Sequence, residues 1–169
     1  EASFDIGETP VPYTPTDSYS RALWVGLINT LRIAVAGIIL TTIVGIGAGI
    51  ARLSGNWLVR NIALIYVEVI RNTPLLLQLL FWYSAVFLSF PNVSNRISLL
   101  GLIYLSQDGL EIIGFKFSSE FAALLIGLVF YTGSFIAEIV RAGIQSVSKG
   151  QWEAARSLGL KPSLIMRLV

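Results

Sequence analysis

Residues 33–51 read IAVAGIILTTIVGIGAGIA, nineteen positions without a charged side chain. A helix of that length matches the hydrocarbon core of a bilayer, which takes roughly 20 apolar residues to cross. The preceding residues 23–31 are apolar as well, and Arg32 is the only interruption, so a first span is expected at about 23–51. Within it Gly45 and Gly49 stand four apart, with Gly47 and Ala48 between them. That spacing puts two small residues on one helix face. A neighbouring backbone can then come close, which is how helices pack in lipid, where the hydrophobic drive between them is absent.

Two more runs are long and apolar enough to be read the same way. One extends over about 62–90, its uncharged part beginning at Pro74; the other over about 119–140, ending at Glu138 and Arg141. The shorter apolar run 97–105 reads as interfacial or loop structure. Composition agrees with a membrane protein: 54% of residues are hydrophobic and 13% charged, with a mean hydropathy of +0.74, where a soluble domain carries about a quarter charged residues. Cysteine and histidine are both absent. That removes disulfides, thiolate chemistry and the commonest general base and metal ligand. An intramembrane enzyme would be left with Ser, Asp or Glu chemistry, and no two carboxylates are placed together for it. No metal or cofactor is expected, and a net charge of +2 is too small to point to nucleic acid.

The placement of charge says more than its sum. Arg52, Arg60 and Arg71 follow the first span, and Arg141, Lys149, Arg156, Lys161 and Arg167 follow the third. The segment before the first span carries Glu1, Asp5, Glu8 and Asp17 against Arg21, and the connection between the second and third carries Asp108, Glu111 and Glu120 against Arg96 and Lys116. By the positive-inside rule the N-terminus lies outside and the C-terminus inside. Residues 1–22, with Pro10, Pro12 and Pro15, are expected to be an extended extracytoplasmic tail.

Several polar residues sit inside or beside the spans. Glu68 and Arg71 are three apart, as are Glu138 and Arg141, a helical spacing at which charges can pair. Asn72-Thr73-Pro74 interrupts the second span, because proline removes a backbone donor. A broken helix at this depth serves either a transport path or an ordinary kink. Gln78, one turn further on, must face protein or a cavity. Tyr131-Thr132-Gly133-Ser134 puts three hydroxyls in the interior of the third span. They line a polar passage or make helix-to-helix hydrogen bonds, worth about 0.6 kcal/mol each in membranes.

Beyond the third span, Ser148-Lys149-Gly150-Gln151 has the Ser-x-x-Gln form of a capping box. A helix is expected over about 149–158, closed by Gly159 in the left-handed conformation, with Pro162 opening a second helix. Ten residues are marginal as a helix alone in water, so docking must hold this one. Trp152 and Ala155 share one face; Ala154 and Leu158 share another.

Two stretches give the chain a resemblance to a known family: YVEVIRNTPLLLQL at 66–79, and IAEIVRAGIQSV at 136–147 running on through GQWEAARSLG. In them the chain resembles the permease subunits of bacterial ABC importers, in the polar amino-acid group that includes histidine, glutamate and general amino-acid permeases. The resemblance implies an all-α integral membrane protein, multi-pass in the bacterial cytoplasmic (inner) membrane, with three transmembrane helices of a MetI-like permease core. It implies that Gln151, Glu153, Ala154, Ala155 and Gly159 belong to the Glu-Ala-Ala loop that docks a cytoplasmic ATPase. A second permease subunit, identical or related, and an extracytoplasmic amino-acid-binding protein are the other partners it implies. ATP hydrolysis would belong to the separate ATPase, and no Gly-x-x-x-x-Gly-Lys-Ser/Thr phosphate loop occurs in this chain. The chain begins at Glu1 without an initiator methionine and stops at Val169, inside the family's loop motif, so it is expected to be a fragment of a longer permease.

On this reading Gln78, Tyr131, Thr132 and Ser134 are candidates for the translocation path. The rivals are an ion- or proton-coupled secondary transporter with Glu68 and Glu138 as relay carboxylates, and a membrane interaction protein without transport.

Overall fold

The computed structural model describes residues 11–99, 101–161 and 164–165. Glu1, Asp5, Glu8 and Pro10 of the expected tail, Pro162 of the expected second helix, Arg167 and Val169 lie outside them.

Among the described residues, five α-helices and four strands follow in order: α1 (Tyr19–Ala51), α2 (Trp57–Asn72), α3 (Leu75–Leu80), β1 (Ile97–Leu99), β2 (Ile103–Ser106), β3 (Gly109–Ile112), β4 (Phe115–Ser118), α4 (Ser119–Ser146) and α5 (Lys149–Ser157). Helix α1 starts four residues before the expected position 23. It is apolar on every side, so no single face is marked for burial, and Leu23, Trp24, Ile38 and Ile43 all stand exposed. A helix hydrophobic all round with most of its surface open is a helix made for lipid. Helices α1 and α4 are each long and apolar enough to cross a membrane. A third crossing exists if the broken pair Trp57–Asn72 and Leu75–Ser89 counts as one span.

The break falls where proline demands it. Asn56 caps helix α2, its Oδ1 accepting from the Leu58 amide at 2.9 Å, and the helix ends at Asn72. Pro74 caps α3 with an extended backbone, and its carbonyl takes the Leu77 and Gln78 amides. After α3 the chain continues through a π-helical turn at Phe81–Val86 and a 3-10 turn at Phe87–Ser89.

The expectation of an all-α chain is corrected at residues 97–118. They form a four-stranded antiparallel meander in the order β1-β2-β3-β4, with pairs such as Ile97↔Leu105, Tyr104↔Glu111 and Glu111↔Lys116. Short runs rich in β-branched and aromatic residues, punctuated by Gly101, Gly109 and Gly114, suit strands too brief to announce themselves by alternation. The β3–β4 turn has positive φ at both central residues, Ile113 (50°) and Gly114 (82°), as a type I′ hairpin requires.

The chain divides into two compact units, one of Glu1–Thr41 with Thr73–Phe130 and the other of Thr42–Asn72 with Tyr131–Val169. In the first, Phe87, Ala122 and Ala123 form the buried centre, flanked by Trp82, Tyr83, Phe90, Leu110 and Ile126. In the second, the Gly-x-x-x-Gly step does what its spacing predicts. A Cβ at Gly45 would lie 2.5 Å from Ile136 side-chain carbons, and one at Gly49 would lie 2.8 Å from the Ala137 carbonyl oxygen. The two helices approach too closely there for any side chain.

Candidate functional site

The charged residues of the second unit gather on one carboxylate. Glu138, on α4, is held by Arg52 from the end of α1 and by Arg141 one turn on, whose Nε donates at 3.1 Å. Arg71, near the end of α2, lies 3.8 Å from the same carboxylate with its guanidinium 5.2 Å above the Phe135 ring. Three segments of the chain therefore meet at one negative charge. Arg52 and Glu138 are 13% and 27% exposed, so water screens their pair only partly.

This corrects one expectation and bears out another. Glu138 and Arg141 pair as the spacing foretold. Glu68 and Arg71 do not: among the described residues Glu68 makes no ion pair, and Arg71 turns to Glu138 instead. Glu68 is exposed, where a pair gains little, while Glu138 offers a half-buried charge and an aromatic face beside it. In the sequence Arg52 stands only as an orientation signal. Its partner lies 86 residues away, beyond any helical spacing rule. Arg52, Glu68, Arg71, Asn72 and Glu138, with the apolar Val67 and Phe135, line a cavity of about 420 Å³.

The other candidates are placed as follows. Gln78 is buried, and its Nε2 donates to the Thr73 carbonyl at 2.9 Å, satisfying a backbone acceptor at the helix break. Ser134 is fully buried and donates its hydroxyl to the Tyr131 carbonyl at 2.6 Å. Tyr131 packs on Phe135 with ring centres 5.1 Å apart, and Thr132 stands exposed on the other side of α4. The three hydroxyls of that segment thus do not converge on a common point.

Helix α5 has the ends its sequence specified. Ser148 Oγ accepts from the Gln151 amide at 3.4 Å; the reciprocal bond of a full capping box is absent among the described residues. At the other end Gly159 has φ +71°, its amide reaches the Arg156 carbonyl at 2.9 Å, and the Leu160 amide reaches Ala155 at 3.2 Å. That pair of bonds is the Schellman closure. Helix α5 stops at Ser157, one residue short of the expected 158. Trp152 and Ala155 are half-buried, with Trp152 sharing a groove with Leu53, Val59 and Ile144. Gln151, Glu153, Ala154 and Leu158 face outward, Leu158 with 78% of its surface exposed.

A helix-rich chain with membrane-length helices and a capped polar helix after the last of them belongs to a recognisable class. Residues 41–169 match the family described as the binding-protein-dependent transport system inner membrane component, and the chain belongs to that family. It is similar to the general L-amino acid transport system permease protein AapQ of Rhizobium johnstonii, at 34% identity over 99% of this chain and 62% of that protein. A putative amino-acid ABC transporter permease protein of Escherichia coli, YhdX, is 32% identical over 99% of this chain and 63% of its own length. Among solved structures, a crystal structure of an amino acid ABC transporter with histidines matches with a TM-score of 0.60 and 30% identity, covering 93% of this chain and 64% of that one. The chain thus spans a little over three-fifths of the length of these relatives.

Proposed function

We propose that this chain is part of the transmembrane permease subunit of an ATP-driven importer of amino acids in the bacterial inner membrane. The N-terminus lies outside and α5 lies in the cytoplasm, as the distribution of arginine and lysine requires. Helix α5 is the docking element for a separate ATPase subunit, with a second permease subunit alongside and a binding protein delivering substrate from outside. Residues Gln151, Glu153 and Ala154, with Leu158, form the docking face, Ala155 seats the helix on the body, and Gly159 ends it.

The observation that carries this reading is the construction of α5. A nine-residue helix is too short to be stable by itself. Here it has a side-chain cap at one end, a Schellman closure at the other, and an aromatic anchor on its inner face. Its outer face carries a small residue, a carboxylate and a bare leucine, a surface suited to a groove on a soluble partner. Displacement of a rigid helix seated this way passes to α4 and α1 and alternates access to the path, for which Gln78, Tyr131, Thr132 and Ser134 are candidates. The ion-coupled alternative needs both Glu68 and Glu138 as relays, and it is disfavoured at Glu138, which three arginines hold.

The test is Ala154→Arg in the full-length permease assembled with its ATPase. Loss of ATPase co-purification and of ATP-driven amino-acid uptake, with normal membrane insertion, is expected. A charged, bulky change at Ala155 would also abolish uptake, but it disturbs the seat of α5 as well, so Ala154 gives the cleaner answer. Unaltered uptake by Ala154→Arg would show that the ATPase docks elsewhere.

A further inference from the structure

A groove in the first unit is apolar apart from a single charge. Helix α1, the start of α4 and the meander line about 790 Å³ there. Ile28, Leu31, Val35 and Ile39 recur at helical spacing along α1 and make one wall, and Phe121 and Leu125 make the other. Leu110, Ile112 and Phe117 close the groove from the meander. Glu111 and Lys116, paired between them in the strands, belong to the opposite face, as two-residue alternation requires. Glu111 takes Arg96 there at 2.7 Å. Arg32 is thus the one charged residue among those lining the groove. Its guanidinium lies 5.2 Å from the Phe121 ring centre and donates to Asn29 Oδ1 only at 3.4 Å. Among the described residues it has no acidic partner.

We propose that this groove binds one anionic phospholipid, with the phosphate on Arg32 and an acyl chain between α1 and α4. The nineteen uncharged residues after Arg32 rise about 28 Å as a helix, close to the roughly 30 Å of the hydrocarbon core. Arg32 therefore stands at the level of the lipid phosphates, where a charge beside apolar walls is met by an anion or by water. From Arg32 to Leu40 the wall continues for about 12 Å, most of the roughly 15 Å that one leaflet contributes to the core. A protein helix suits the groove less well. Helices in membranes meet through small residues; the lining offers only Ala36 and Ala122, and the Gly45–Gly49 face of α1 already packs on α4. The charge selects the headgroup. The ammonium of phosphatidylethanolamine finds no carboxylate among the lining residues, whereas phosphatidylglycerol needs none. That the leaflet is the outer one rests on the orientation proposed above; the groove and its charge do not.

The experiment uses the full-length permease purified with its ATPase. Native mass spectrometry measures binding of dioleoyl phosphatidylglycerol and dioleoyl phosphatidylethanolamine, with inorganic phosphate as competitor. The wild type should prefer phosphatidylglycerol by about fivefold, the effect of one basic residue on an anionic lipid. Arg32→Gln should abolish the preference and Arg32→Lys should keep most of it. Arg21→Gln, on the same helix but bonded to the Pro12 carbonyl outside the groove, should change nothing. Inorganic phosphate should not displace the lipid; if it does, the site holds a free anion and the lipid proposal fails. In native membranes, Val35→p-benzoylphenylalanine should photo-crosslink to phosphatidylglycerol, read by the mass of the adduct. An adduct to another segment of the permease or to the second permease subunit would show that protein fills the groove. That result, or an unchanged lipid preference in Arg32→Gln, overturns the proposal. Neither readout involves uptake, so both are decided separately from the import reading.

Discussion

Replacing Glu138 by glutamine keeps the volume of the side chain and removes the charge on which three guanidiniums converge. In the native arrangement Arg52 and Arg141 contact the carboxylate directly and Arg71 lies 3.8 Å away. One such pair at 4 Å is worth about 4 kcal/mol in an effective dielectric near 20, before desolvation is subtracted. Removing one partner from a buried pair typically costs about 3–5 kcal/mol, because the other charge is left uncompensated. Glu138 keeps 27% of its side-chain surface, and water recovers part of that loss. A destabilisation of about 2–3 kcal/mol is therefore expected. The assay is the denaturant or thermal midpoint of the full-length permease in detergent, followed by a cycle with Arg52→Gln. Since Arg52 is the most buried of the three arginines, the double variant should lose clearly less than the sum of the singles. A loss below about 0.5 kcal/mol for Glu138→Gln, the range of ordinary surface changes, or strict additivity with Arg52→Gln, would refute the claim that this carboxylate ties the three helices together.

Two further outcomes follow from the same packing. Gly49→Leu should cost at least about 1–3 kcal/mol, the usual range for overpacking, because even a Cβ there would sit 2.8 Å from the Ala137 carbonyl; Gly47→Leu, with open space around it, should be neutral by the same midpoint measurement. Ser148→Ala removes the one side-chain cap of α5, worth about 1 kcal/mol, so amide exchange across Lys149–Ser157 should accelerate about fivefold while α4 is unaffected.

The elements legible in the sequence were those whose cause is local. The uncharged run at 33–51 has one comfortable environment, and a helix is the form in which it can cross a membrane without stranding its backbone polar groups. Ser148 and Gly159 mark the ends of α5 because capping and left-handed closure depend on single residues. The helix break at Thr73–Pro74 is equally local. Non-local pairing was not legible. Arg52 finds Glu138 across 86 positions, and a rule built on i,i+3 spacing instead assigned Arg71 to Glu68. The meander at 97–118 escaped for a related reason: three- and four-residue strands are fixed by their partners more than by their own pattern. Ser134 is conspicuous as a hydroxyl in a span, but the sequence does not show that its hydrogen bond is made within its own helix, to the Tyr131 carbonyl.

ATP-driven uptake is the decisive measurement. The full-length permease, its ATPase and a binding protein are placed in proteoliposomes, and accumulation of labelled amino acids is followed with ATP or with a non-hydrolysable analogue. Uptake that requires both ATP hydrolysis and the binding protein, and that is lost in Ala154→Arg, is the predicted result. Uptake by the permease alone, driven by an ion gradient and indifferent to ATP, would contradict it.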